Sequence, residues 1–220
     1  MDNCIKFPHL LKAEILDGLD AGFKKDFLNE CATHHYENPT AIIEQGEAAS
    51  GMFIIAHGGV DVTYIGEDGQ QLFVTRSRVG ATLGETESIS DEPNAATATT
   101  AANTTLLLCS KPQLFQSLQT PGFIKNLTRI FHKRLVKDNW LNHIGQFGAV
   151  EKRLRGYLYV LSESRGKVEE TQSFLASVVG CSRQTVNREL ANLREAGIIE
   201  QNGSEICVVD RVALGAGLHD

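Results

Sequence analysis

Arginine, glutamine and asparagine gather in the run Ser182-Arg183-Gln184-Thr185-Val186-Asn187-Arg188, and these side chains carry the groups that read base edges. An arginine donates in bidentate fashion to guanine, and a primary amide matches the donor and acceptor of adenine. Spacing decides whether they share a face. Val186, Leu190 and Leu193 recur at i, i+4 and i+7, so a helix opening at Ser182 turns that stripe to the protein. At about 100° per residue, Gln184 and Arg188 project from the opposite side, with Arg183 and Asn187 on the flank. Ser182, Arg183, Gln184, Thr185, Asn187 and Arg188 form the candidate DNA-contact set, with Thr185 serving equally as a first-turn residue or as a phosphate contact.

The elements around this run fit that reading. Leu175, Ala176 and Val179 recur at helical spacing behind Thr171, an N-cap residue type, and Gly180 stands where a tight turn needs positive φ. Gly197 is placed to stop the second helix, and Gln201-Asn202-Gly203-Ser204 carries a hairpin turn before the alternating run Ile206 to Val209. Helix, turn, helix and β wing make a winged helix-turn-helix; a plain helical hairpin would lack the wing. Asn202 and Ser204 are candidate backbone contacts in the wing.

Upstream, strand signals between glycine turns run over 41–43, 52–56, 60–65, 71–75, 96–100 and 106–109, which predicts a small barrel or sandwich able to enclose a cavity. Pro121 opens a helix predicted to continue to about Ile144. Leu127, Ile130, Leu141 and Ile144 fit the a and d sites of one heptad frame, with Arg134 and Lys137 at the intervening ones, and Ile124, Phe131 and Leu135 lie on another flank. Two apolar flanks imply two contacts, one with the barrel and one with the same helix of a second subunit; a single helix packed on its own barrel is the alternative. The expected domains are 1–120, 121–146 and 147–220.

The 220 residues carry a formal net charge of −6, which opposes phosphate binding, but Arg183, Arg188 and Arg194 concentrate on the reading helix while acidic residues lie toward the N-terminal part. Modest DNA affinity falling with salt is expected. The sequence shows neither a leader pattern nor a bilayer-length apolar run, so a cytoplasmic protein with no membrane partner is expected. Cys4, Cys31, Cys109, Cys181 and Cys207 are odd in number and widely spaced, which argues against a disulfide framework, a structural zinc site or an iron–sulfur cluster; Cys181, just ahead of the reading helix, is a candidate redox thiol. Neither a catalytic triad nor a carboxylate pair stands out, and His57 in the expected barrel lacks an HxH partner. A cupin-like small-molecule-binding protein or enzyme is the competing class; no catalytic residue, metal site or cofactor is expected.

The order β-roll, long helix and winged helix-turn-helix resembles the cyclic-AMP receptor protein/FNR family of bacterial transcription regulators. The matching segments are 179–188 in the reading helix, Ile43-Glu44-Gln45-Gly46-Glu47 and His57-Gly58-Gly59-Val60-Asp61-Val62 in the roll, and Leu83-Gly84-Glu85 followed by Pro93-Asn94-Ala95-Ala96-Thr97. The resemblance implies an α+β fold, with an N-terminal double-stranded β-helix (β-roll) of the cyclic-nucleotide-binding type. It also implies a homodimer through 121–146 reading a palindromic operator on double-stranded DNA, with RNA polymerase as a further partner. Gly84, Glu85, Thr86, Asn94 and Ala95, with Asp138 and Asn139 from the long helix, are the effector-pocket residues it implies.

Two departures matter. Gln184 stands where family members carry Glu, exchanging a cytosine acceptor for an amide, so the operator should differ. Asn94 stands where cyclic-nucleotide members carry the phosphate-binding Arg, and Glu85, Glu87, Asp91 and Glu92 stand in this segment with no Lys or Arg among them. Cyclic AMP is therefore not the expected effector, unless Arg76 or Arg78 supplies the charge. The N-terminal cysteine grouping of oxygen-sensing members is missing. A haem or redox response is a further alternative, with His34, His35, His57, His132 or His143 as axial ligand.

Overall fold

Short apolar runs between turns become strands of two antiparallel sheets, flanked by helices. The computed structural model describes residues 2–218 apart from 68, 70, 163–165, 169 and 204, and the side chains of 71, 141, 144, 146 and 147 also lie outside the described set. Leu141, Ile144 and the wing residue Ser204 therefore fall outside it. The chain runs α1 (Asn3–Lys6), α2 (Ala21–Glu30), β1 (Ala32–Tyr36), β2 (Ala41–Ile43), β3 (Gly51–His57), β4 (Gly59–Ile65), β5 (Gln71–Arg78), β6 (Thr82–Leu83), α3 (Glu85–Ser90), β7 (Thr97–Thr100) and β8 (Thr104–Ser110). It continues with α4 (Lys111–Ser117), α5 (Pro121–Phe147), α6 (Val150–Leu161), β9 (Lys167–Val168), α7 (Gln172–Val179), α8 (Arg183–Glu195), β10 (Ile199–Asn202), β11 (Glu205–Val208) and α9 (Arg211–Gly215). Residues 1–132 and 133–220 form two compact units, divided within α5.

In the first unit the sheets have the orders β1-β8-β3-β6 and β2-β7-β4-β5. β3 and β8 are apolar on both faces because both faces are covered. Met52, Ile54, Ala56, Leu107 and Cys109 pack against the helices with Leu10, Phe27, Leu114 and Phe123, whereas Phe53, Ile55 and Leu106 meet Val60, Leu83 and Ala98 inside the roll. Each such side chain contributes roughly 1.5–3 kcal/mol by leaving water.

Phe123, Asn126, Leu127 and Ile130 form the buried stripe of α5 at i, i+3, i+4 and i+7. Asn126 donates to the carbonyls of Ile15 at 3.1 Å and Asp17 at 2.7 Å, which pins the helix. The structure thereby sorts the two apolar flanks. Leu127 and Ile130 belong to the core of their own domain and Phe131, expected on the other flank, packs half-buried against it, while Ile124 and Leu135 stay exposed together with Val136.

In the second unit Leu154 and Leu158 of α6 pack with Leu175, Val179, Val186, Leu190, Leu193, Ile199, Ile206 and Leu214. Arg155 donates to the carbonyls of Ala213, Leu214 and Ala216, satisfying the end of α9. No helix among the described residues is long and apolar enough to cross a membrane.

Candidate nucleic-acid interface

Two caps and one glycine fix the reading helix. Thr171 accepts from the Phe174 amide at 3.1 Å to open α7, and Gly180 closes it at φ +67°, with the Cys181 amide returning to Ala176 O at 3.0 Å. Ser182 opens α8 by accepting from the Thr185 amide at 3.1 Å, and its hydroxyl lies 2.9 Å from that of Thr185. The Ser182 and Thr185 hydroxyls thus already serve the N-cap. Val186, Leu190 and Leu193 are buried, and Arg183, Gln184, Asn187 and Arg188 are all exposed on the other side. The four base-edge donors of the sequence reading therefore share one solvent face of one rigid helix.

Glu189 is a member of this group that the apolar periodicity concealed. It is 9% exposed, sits on the packed side, and its Oε1 accepts from both Nε and Nη2 of Arg188 at 3.1 Å. Its Oε2 accepts from Asn192 Nδ2 at 3.1 Å. Its visible sign in the sequence is a carboxylate among Val186, Leu190 and Leu193, flanked by Arg188 and Asn192. The pairing orients a guanidinium whose side chain is still 70% exposed.

The wing is a three-stranded sheet of order β10-β11-β9, one strand more than the hairpin read from the sequence. Asn202 is exposed opposite Glu205 at the turn, where Gly203 takes φ +63°. Lys167 bonds Glu205 at 2.9 Å, joining β9 to β11 and holding the Glu205 carboxyl below the usual carboxylate range. Cys181 is half-buried against the domain core.

The roll presents a different chemistry. Gly84 at φ +76° approaches the carbonyl of Gly51 so closely that a Cβ would stand 2.9 Å from it. Glu85 is fully buried, with the Thr82 hydroxyl 3.2 Å from its Oε1. Asn94 is 6% exposed and donates to Glu44 O at 3.1 Å, while its backbone amide donates to Glu47 O and its carbonyl accepts from Gly46, both at 2.8 Å. Its amide nitrogen thus serves the turn after β2, while its Oδ1 is buried without a hydrogen-bond partner among the described residues. A cleft of about 220 Å³ is lined by Ile43, Glu44, Glu47, Ser50, Gly51 and Asn94 among others, so of the expected pocket residues Asn94 alone lines it. Thr86 and Ala95 are exposed, as are Asp138 and Asn139, which lie on the part of α5 in the second unit.

Strand register and burial overturn two expectations. Arg76 and Arg78 do not point into the roll: the β4–β5 register pairs Asp61 with Arg76 and Gly59 with Arg78, in alternation with the inward Val60 and Val62. Arg76 instead binds Asp61 through Nε at 2.5 Å and Nη2 at 2.7 Å. His57 ends β3 exposed, its Nδ1 3.0 Å from Asn103 O, rather than standing in the roll core. Lys111 reaches Asp91 at 2.8 Å from α4, outside the acidic segment.

The chain matches the cyclic nucleotide-binding domain model over residues 33–120 and the Crp-like helix-turn-helix domain model over residues 152–216. It is 25% identical over 193 residues to the cAMP-activated global transcriptional regulator CRP of Salmonella typhimurium, covering 83% of this chain and 91% of that protein. It is 24% identical over 217 residues to the CRP-like cAMP-activated global transcriptional regulator of Mycobacterium tuberculosis, covering 93% and 96%. Its fold is shared with the c-di-GMP responsive global regulator CLP of Xanthomonas campestris, at TM-score 0.70 and 22% identity over 86% of this chain and 99% of that one. A CRP/FNR-family transcriptional regulator of Thermus thermophilus also shares it, at TM-score 0.66 and 20% identity over 86% and 99%. These relatives are transcription regulators, and the two matched models span the roll and the helix-turn-helix: this chain belongs to the CRP/FNR family of transcription regulators, with a Crp-like DNA-binding domain.

Proposed function

We propose that the protein is a homodimeric, sequence-specific regulator that reads a palindromic operator through α8 and acts in the cytoplasm with RNA polymerase as partner. The observation that carries this reading is the exposure of Arg183, Gln184, Asn187 and Arg188 on the face opposite Val186, Leu190 and Leu193. A major groove accepts one such helix, and a two-fold axis places two of them about one DNA turn apart, roughly 34–36 Å. The dimer contact assigned to α5 is the flank of Ile124, Leu135 and Val136, which its own domain leaves uncovered.

The Salmonella and Mycobacterium relatives are cAMP-activated. In this chain the position of the phosphate-binding arginine is Asn94, whose amide serves the Glu44 carbonyl, and Arg76 is bound by Asp61. With no cation supplied from these positions, a cyclic phosphate gains no charge-assisted contact. The effector, where one acts, is therefore not cyclic AMP. The reading is tested by selecting operators from genomic fragments with the full-length protein, then measuring binding with and without cyclic AMP. Bound palindromic fragments whose affinity ignores cyclic AMP support it; an absolute requirement for cyclic AMP contradicts the effector assignment.

A further inference from the structure

Cys31 and Cys109 are far apart in sequence and neighbours in the fold. The β1–β8 register pairs Ala32 with Leu108, and one more step along this antiparallel ladder sets Cys31 opposite Cys109. Cys31 commits its own backbone groups elsewhere, its amide to Leu28 O at 3.3 Å and its carbonyl to Asn3 Nδ2 at 2.7 Å. A non-hydrogen-bonded cross-strand pair has its Cα atoms about 4.5 Å apart, within the roughly 4.4–6.8 Å that a disulfide spans.

The side chains meet as the backbone requires. Both cysteines are buried in one apolar cluster, at 4% and 0% exposure; Cys31 Sγ donates to Phe27 O at 3.2 Å, and Cys109 Sγ lies 3.7 Å from Ser110 O. Gln113, itself 8% exposed, places its Nε2 3.5 Å from Cys31 Sγ and 2.8 Å from Phe27 O. The neighbouring Cys109 and Gln113 side chains lower the Cys31 thiol from its ordinary value against the opposing effect of burial, while Cys31 beside it and burial push Cys109 up. The pair is therefore asymmetric, since Gln113 Nε2 donates to Cys31 Sγ and the Cys31 thiol is the lowered one of the two.

We propose that Cys31 and Cys109 form an oxidation site that closes into an intramolecular disulfide on reaction with a small hydroperoxide. The Cys31 thiolate attacks one peroxide oxygen, the O–O bond breaks, and hydroxide leaves to take up the proton that Cys31 gave up. Cys109 then attacks the Cys31 sulfenic sulfur; the S–S bond forms, the S–O bond breaks and water departs. Two thiols lose two electrons and two protons, and hydrogen peroxide becomes two molecules of water. The burial of both sulfurs selects a small oxidant over a bulky disulfide such as oxidised glutathione. The product staples the end of α2 to β8.

The test exposes the native full-length protein to hydrogen peroxide, blocks free thiols after unfolding, and maps unreduced peptides by mass spectrometry. A linked peptide pair carrying Cys31 and Cys109, lighter by two hydrogens and reversed by dithiothreitol, is expected, with a higher Tm for the oxidised protein. Oxidised glutathione at the same oxidising equivalents should leave the pair open. In Cys109→Ser, a dimedone-trapped sulfenic acid should accumulate at Cys31, whereas Cys31→Ser should leave Cys109 unlabelled. Full alkylation of Cys31 and Cys109 after peroxide treatment of the wild type, or linkage of either one only to Cys4, overturns the proposal.

Discussion

Arg188 and Glu189 are consecutive on α8, yet the guanidinium folds back so that Nε and Nη2 both lie 3.1 Å from Glu189 Oε1. Adjacent helical residues do not ordinarily face each other. The contact forms because the carboxylate sits on the packed side, held also by Asn192, and the long arginine side chain spans the edge between packed and open faces.

Replacing Glu189 with Gln keeps the shape and removes the charge. Discrimination between operator and scrambled DNA should fall by about 1 kcal/mol as the charge-assisted clamp on Arg188 is lost. Affinity for scrambled DNA should stay level or rise, because a negative charge near the phosphates has gone. Fluorescence anisotropy on both duplexes over a salt series reads the two effects separately.

Gln184→Glu tests the base assignment. An amide suited to adenine becomes an acceptor suited to cytosine, so the preferred base at one operator position should change by about 1–3 kcal/mol. Selection from a random operator library with each protein checks it, and the same motif from both proteins would remove Gln184 from the reading set.

Leu127 and Leu135 separate folding from assembly. Leu127 is 3% exposed in the first domain's core, so Leu127→Ala should cost about 2–5 kcal/mol in chemical unfolding. Leu135 is 59% exposed on the flank assigned to the partner helix, so Leu135→Asp should leave the cores intact and shift sedimentation toward a monomer. Loss of stability without dissociation in the second variant would remove that flank from the dimer contact.

The caps and the reading face were legible because they depend on neighbours in sequence: Ser182 and Thr185, Gly180, and the stripe of Val186, Leu190 and Leu193 lie within a few turns of each other. Long-range pairings were not. β1 reads Ala-Thr-His-His-Tyr, mostly exposed, and becomes a strand only because β8 supplies its hydrogen bonds. The Cys31–Cys109 neighbourhood follows from that same pairing, so local periodicity carries no sign of it. The two flanks of α5 were visible as apolar, but which one faces the roll is set by Asn126 reaching Ile15 and Asp17 from far along the chain. The partners of Arg76 and Asp91 were hidden for the same reason: Asp61 arrives by strand register and Lys111 from a later helix.

Asn94 gives a prediction for the roll. Asn94→Ala removes a buried amide that bonds Glu44 O, which should destabilise the protein by about 1–3 kcal/mol in urea unfolding. Calorimetry of the wild type with cyclic AMP or cyclic GMP at micromolar concentration should show no saturable heat. A stoichiometric isotherm would place a cation in the roll that Asn94, Arg76 and Arg78 do not supply.

Footprinting of the full-length protein on a fragment selected from genomic DNA bears most directly on sequence reading by paired copies of α8. Two protected half-sites related by a dyad, with centres about 10–10.5 base pairs apart, are the expected result, and protection should be lost in Arg183→Ala/Arg188→Ala. Failure to retain any genomic fragment at low salt, or protection unchanged in the double variant, would contradict it.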